Sequence, residues 1–404
     1  MIKSLKKLGP GILFAGGAIG VSHLVQSTRA GANFGFGLLW ILLIINIIKY
    51  PFFQFGPRYA AATGENLLQG YKKLGKGVLA IYAIITLATM FTIQTAVTIV
   101  TAGIASSVFG GVLNVEIWTV IIMSLCFVLL SKGKYVLLDK MMKIIILTLS
   151  ISTLGAVAAA FINAENALVW TQVFPQTNTE IIFLIAFMGW MPGPLDISIW
   201  HSIWVTEKQK SSNSFGEKYA ILDFNIGYIV TILMGMGFLM LGGLVMYGSG
   251  ESLSNNGGVF SIQLIEMYTQ NIGNWTYNII GIAALTTMFS TTLTTLDASP
   301  RALNKAFELL RERRLKNGYT AWLIVLIIGC VGIFFLFLSE MGSLVKIATI
   351  LSFLTAPFYA LMNYILICSK HTPEPWRPSK SMQFLCIFGI LFLIIFNILY
   401  LSIL

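Results

Sequence analysis

The sequence predicts an all-α polytopic membrane protein of about 11 transmembrane helices, laid out as a 5+5 inverted repeat in which helices 1 and 6 are broken. Three observations carry that prediction. Apolar segments recur along the whole chain, basic residues fall in alternate loops, and two spans five apart are interrupted by glycine and proline. Composition excludes a soluble domain: of 404 residues, 56% are hydrophobic and 10% charged, with a mean hydropathy of +0.82.

The spans cover about residues 10–30, 36–56, 78–106, 113–131, 134–162, 180–204, 219–247, 276–297, 320–338, 343–368 and 382–404. A hydrocarbon core of roughly 30 Å needs about 20 helical residues, which these lengths supply. Between the spans the charges alternate. Bases cluster at Lys3, Lys6 and Lys7, then at Arg58, Lys72, Lys73 and Lys76, then at Lys132, Lys134, Lys140 and Lys143. They return at Lys208, Lys210 and Lys218, at Arg301 to Lys316, and at Lys370, Arg377 and Lys380, making 23 of the 26. The intervening loops hold acids, namely Glu116, Glu165, Glu180, Glu251, Glu266 and Glu340. The positive-inside rule then expects a cytoplasmic N-terminus and an outside C-terminus in a cell (inner) membrane. A net charge of +10 confined to one face points to the lipid bilayer as its partner rather than to nucleic acid. The first span follows a Lys-rich start, yet its length, its polar groups and the span directly after it favour a retained helix over a signal peptide.

Most spans are plain. Spans 4, 9 and 11 are nearly uniform Ile, Leu, Phe and Val and are expected to face lipid or serve as scaffold. The longest polar stretches, 57–77, 248–275 and 298–319, are expected as connections. Cys126, Cys330, Cys368 and Cys386 lie in or at the ends of spans without a C-x-x-C pair, which favours neither disulfides nor a cysteine zinc site.

Span 1 and span 6 are different. Span 1 contains Gly9-Pro10-Gly11 and then Gly16-Gly17-Ala18-Ile19-Gly20-Val21-Ser22-His23; span 6 contains Gly189-Trp190-Met191-Pro192-Gly193-Pro194-Leu195-Asp196. Glycine and proline weaken a helix, and proline also removes a backbone donor. In lipid, the freed backbone groups must find protein, water or an ion. Paired interruptions of this kind are the layout of secondary transporters that bind substrate at the midplane. The chain is then one transmembrane domain, with repeats of about 10–163 and 180–368 and an extra helix at 382–404.

Candidate site residues follow from those breaks. His23 is an intramembrane imidazole able to bind a cation or relay a proton, or else to be satisfied by carbonyls. Asp196 falls in the first turn of the second half of span 6, as a cation ligand, a proton-coupling carboxylate or a helix-terminus acid. Ser22, Gln94 and Met191 are further candidates, though Gln and Met within a bundle are often interhelical packing. Together His23, Met191 and Asp196 would give an N/O/S set usable by Mn²⁺, Fe²⁺ or Zn²⁺. Asp297 is expected to pair with Arg301 at i, i+4. Asp223 is expected in a salt bridge, Arg29 in a structural role, and Lys346 at the membrane interface. The threonine run from Thr286 to Thr295 is expected to pack helices. No nucleophile–base pair, phosphate loop or soluble module is visible, so neither an enzyme nor a receptor is expected, and no cofactor.

Several stretches resemble the Nramp family of divalent-metal transporters. They are Gln26 to Trp40 at the end of span 1, Pro57-Arg58-Tyr59-Ala60-Ala61-Ala62-Thr63-Gly64-Glu65-Asn66-Leu67 after span 2, Gly9-Pro10-Gly11, Met191-Pro192 and His201-Ser202. The resemblance implies a LeuT-type fold and secondary-active transport of a divalent metal cation, with H⁺ coupling through His23 or Asp196. The centre departs from the family pattern. Counted back from Ala30-Gly31-Ala32, the family's Asp-Pro-Gly-Asn falls on Gly20-Val21-Ser22-His23, so Gly20 replaces the metal-binding aspartate. In span 6, alignment on Met191-Pro192 puts the family's histidine at Gly193. Alignment on His201-Ser202 puts it at Asp196 and the methionine at Pro194. The missing carboxylate keeps a second expectation open, a transporter of the same fold for a non-metal small solute or an anion.

Overall fold

The computed structural model describes residues 9–132, 135–162, 170–211, 217–250, 252–336 and 341–403. Lys3, Lys6, Lys7, Lys134, Glu165, Glu251 and Glu340 lie outside the described residues. The described residues form helices and no strand. Span 1 is α1 (Pro10–Ala18), a π-turn segment (Ser22–Ser27) and α2 (Thr28–Phe34). Span 2 is α3 (Leu39–Thr63), followed by the short α4 (Leu67–Leu74). Spans 3 to 5 are α5 (Lys76–Val108), α6 (Val115–Lys132) and α7 (Tyr135–Ile162). Span 6 is split into α8 (Asn178–Trp190) and α9 (Ile197–Ser211). Then come α10 (Glu217–Val245), α11 (Gly257–Ile272), α12 (Tyr277–Arg311), α13 (Gly318–Leu336), α14 (Met341–Cys368) and α15 (Lys380–Ser402).

Among the described residues these helices make eleven crossings, of which spans 1 and 6 are divided. Seven helices are individually long and apolar enough to cross a membrane; α6, α7 and α8 contribute shorter apolar stretches among the described residues. The polar connections hold more helix than expected. Residues 67–74 and 257–272 are helical, and α12 continues to Arg311. The reasons are local: Asn66 and Gln69 form a reciprocal capping box, and the Asn256 side chain accepts from Gly258 and Val259. Tertiary packing beneath then retains these amphipathic turns.

The interior is built on α5 and α12, which run against each other, with α10 holding both halves of span 1. That last contact depends on absent side chains. A Cβ on Gly11 would overlap the Asp223 carbonyl, and one on Gly31 would overlap that of Leu239, so the backbones of α1 and α2 lie directly on α10. At the outside of the bundle, α13 and α15 have 22% and 33% of their apolar windows buried, against 72% in α3 and α12. This fits lipid-facing roles for spans 9 and 11. All four cysteines are free thiols.

Two charges settle at the ends of the bundle. Asp297 accepts from Arg301 at 2.6 Å, as the spacing predicted, and also from the Tyr319 hydroxyl at 2.7 Å. Asp223 does something the sequence did not indicate. Its carboxylate accepts from Gly9 N (3.2 Å) and Gly11 N (2.7 Å), capping the start of α1 from the side of α10. A carboxylate there faces the positive end of the helix dipole and satisfies amides that α1 leaves without partners.

Candidate functional site

The break in span 1 is held open by α12. After Ala18 the chain turns extended at Ile19 (φ −77°, ψ 93°), so carbonyls at the break, those of Gly16 and Ile19 among them, lose their helical donors. Thr291 replaces them. Its hydroxyl lies 3.1 Å from Gly16 O and 3.0 Å from Ile19 O. Gly20 sits against the same threonine, where a Cβ would lie 2.7 Å from Thr291 Cγ2. The π-turn segment that follows widens the helix at the position where it faces the cavity.

The break in span 6 is set by proline. In a continuous helix Met188 O would accept from residue 192, but Pro192 has no N–H. The helix stops at Trp190, and the Met191-Pro192 peptide is cis. The second half begins at Ile197, with Asp196 O accepting from Ile199 N and Trp200 N.

Between the two breaks lies a cavity of about 20 Å³. Gly17, Ala18, Gly20 and Ser22 form one wall, Trp190, Pro194 and Trp200 another, and Thr291 and Thr295 a third. One water occupies about 10–15 Å³ on this measure, so the space admits a single water-sized body. The lining hydroxyls turn to protein acceptors: Ser22 to Ala18 O and His23 Nδ1 (both 2.6 Å), which share its one proton, Thr291 to Gly16 and Ile19, and Thr295 to Gln94 Oε1 (2.7 Å). The rest of the wall is largely apolar, with Val21, Ile93, Val97 and Ile197 completing it, so the hydroxyl oxygens offer the cavity a few lone pairs in a mostly apolar setting. Two larger cavities lie along span 6 on either side. One of about 510 Å³ borders α8 with Arg29 and Lys346 in its wall, and one of about 230 Å³ borders α9 near Arg301.

The residues singled out from the sequence divide among these features. Gly20 and Ser22 line the cavity. Gln94 bridges to Thr295 and, through Nε2, to Thr292 O at 3.3 Å, tying α5 to α12 behind the wall. His23 is fully buried, with Nδ1 2.6 Å from Ser22 Oγ and Nε2 2.9 Å from Thr231 O on α10, so both ring nitrogens are engaged. Met191 lies beside it: a Cβ on Gly235 would be 3.1 Å from Met191 Sδ and 3.6 Å from His23 Cδ2. Gly193 packs on Ala18, across from the first break. Asp196 is buried, and its Oδ1 has no partner among the described residues. The same is true of Trp200 Nε1 and of both ring nitrogens of His201. Arg29 is held structurally, by Ser254 O at 2.7 Å and Asn255 Oδ1 at 3.1 Å, over the Phe260 ring. Lys346 is exposed in the wall of the larger cavity.

Two residues escaped the sequence reading. Thr291 was read only as part of a packing run, because nothing in a Thr-rich helix says which hydroxyl meets a broken neighbour. Lys49 was given no role, although a base in the middle of apolar span 2 was a visible signal. It is completely buried, and its Nζ lies 2.6 Å from Met188 O, 2.9 Å from Gly189 O and 3.4 Å from Gly193 O.

An all-α bundle with two divided spans meeting at a small cavity has the architecture of secondary transporters of LeuT type. The chain belongs to the Nramp family: the model described as natural resistance-associated macrophage protein-like matches residues 11–402. It is 34% identical over 405 residues to an uncharacterised protein of Pasteurella multocida, covering 98% of this chain and 92% of that one. It is 24% identical over 411 residues to a divalent metal cation transporter of Staphylococcus haemolyticus, covering 97% and 90%. The fold is similar to that of the Eremococcus coleocola manganese transporter (TM-score 0.75, 16% identity, 99% of this chain and 86% of that one). It is also similar to MhsT in complex with L-phenylalanine (TM-score 0.66, 15% identity, 96% and 98%).

Proposed function

We propose that this protein is a secondary-active transporter of a divalent metal cation. It would sit in the cell membrane with its N-terminus cytoplasmic and its C-terminus outside, and couple to protons through Asp196 or His23. The observation that carries the reading is the cavity of about 20 Å³ at the meeting of the two breaks, where the Ser22, Thr291 and Thr295 hydroxyls stand in an otherwise largely apolar wall. Its size suits one small ion, and oxygen donors suit a hard divalent cation that retains bound water. Trp200 Nε1 is a donor that such a water would satisfy. The divalent-cation role of the Staphylococcus relative supports the same substrate class. A non-metal organic solute is not favoured, because the cavity as it stands holds no more than a water-sized body. An anion is not favoured either, because the hydroxyl hydrogens already point elsewhere.

Alternating access would proceed by exposing this cavity in turn to the spaces beside α8 and α9, with repeats of 10–163 and 180–368 rocking against one another and 382–404 appended. Uptake of Mn²⁺, Fe²⁺ and Mg²⁺ into proteoliposomes tests the reading. At least one of them is expected to accumulate, and Asp196→Asn is expected to lower that uptake by roughly tenfold or more, the equivalent of about 1.4 kcal/mol. Flat traces for all three metals in the unaltered protein would remove the divalent cation from the proposal.

A further inference from the structure

Lys49 presents an energetic puzzle. A lysine ammonium buried in a membrane bundle is costly unless it is paired and fully hydrogen-bonded. Among the described residues no carboxylate forms an ion pair with Lys49. Its three protons instead meet three backbone carbonyls, those of Met188, Gly189 and Gly193. Two of these belong to the last turn of α8, whose helical donors are missing: Pro192 has no N–H to offer Met188, and the helix has ended before Gly193 could serve Gly189. The negative end of the α8 dipole lies at the same place. Carbonyls left over at the end of a half-helix, with no side-chain anion, are the ligand set that a bare monovalent cation takes in place of its water shell. Here the cation is covalently part of the protein.

We propose that Lys49 is a tethered cation occupying a monovalent-cation site at the end of α8. The chain as it stands therefore needs no free monovalent ion there, and removal of the side chain's charge opens the site to Na⁺, K⁺ or methylammonium. The inference does not depend on which substrate is carried, because its readout is the stability of the substrate-free protein.

The experiment is thermal unfolding of the full-length chain in detergent. It is run in choline chloride and then with choline replaced by sodium, potassium or methylammonium chloride at constant ionic strength. The unaltered protein is expected to melt at the same temperature in all four. Lys49→Ala, and Lys49→Met, which keeps most of the stem but not the charge, are expected to melt lower in choline and to recover with rising concentration of at least one small cation. Recovery follows because a ligand that binds only the folded state raises its apparent stability. A Lys49→Met protein that melts like the unaltered one in choline overturns the proposal. So does a loss that none of the small cations restores, or an unaltered protein that responds to them as the variants do. Should neither neutral variant accumulate, Lys49→Arg decides: a guanidinium keeps the charge and must give a protein that accumulates and ignores the added cation, and its failure to do so overturns the proposal.

Discussion

Gly20→Asp restores a carboxylate at the position where the family resemblance expects one, and the structure says what that costs. Any side chain at residue 20 begins with a Cβ 2.7 Å from Thr291 Cγ2 and 2.9 Å from Thr291 Oγ1. Thr291 cannot simply turn away, because its hydroxyl holds Gly16 O and Ile19 O and it sits on the buried face of α12. Overpacking a closed site costs about 1–3 kcal/mol, and each hydrogen bond lost from Thr291 adds about 1 kcal/mol. The single variant should therefore be destabilised by about 2–5 kcal/mol in metal-free buffer. Thr291→Ala in the same chain removes the obstructing atoms. The pair should then be non-additive, the double variant being more stable than the sum of the singles by about 0.5–3 kcal/mol. A carboxylate facing the cavity should also make the double variant's melting temperature rise with added Mn²⁺. Thermal unfolding of the four proteins, with chelator and with MnCl₂, supplies all these comparisons. If Gly20→Asp alone melts with the unaltered protein in chelator, or the two substitutions add independently, the close approach of α12 to the first break is not what the structure describes.

Two further outcomes follow. Gly31→Ala places a methyl on the Leu239 carbonyl and must push α2 off α10, a loss of about 1–3 kcal/mol or more that a melting curve in detergent would reveal; an unchanged curve would mean that the two helices have slack between them. Glu312, beyond the end of α12, is held below the ordinary carboxylate value of 4.5 by hydrogen bonds from Lys76 and then Lys72. Its contribution is present above pH 4.5 and is lost as the pH falls through the lowered folded value. Glu312→Gln should flatten that acid limb of the stability profile, with a small effect that added salt reduces because the groups are exposed; an acid limb identical in both proteins refutes the pairing.

How much was legible in the chain differs between fold and site. The eleven spans and both breaks could be read because bilayer thickness fixes span length, and because glycine and proline act on the backbone where they stand. The Asp297–Arg301 pair was readable for the same reason, being local and one helical turn apart. The cavity was not. Its third wall, Thr291 and Thr295, comes from a helix some 270 residues from the first break, and no periodicity in α12 distinguishes the hydroxyl that meets span 1 from its neighbours. His23 was visible as an intramembrane imidazole, but not that Ser22 and Thr231 would engage both of its nitrogens.

The sequence by itself determined a membrane-spanning α-bundle, its division into crossings, and the two places where helix must fail, since hydropathy and backbone chemistry act residue by residue. Tertiary structure alone decided what fills those failures. A carbonyl freed where a helix breaks takes whichever donor the packing brings, and here it brings the threonine of α12 to one break and the lysine of α3 to the other.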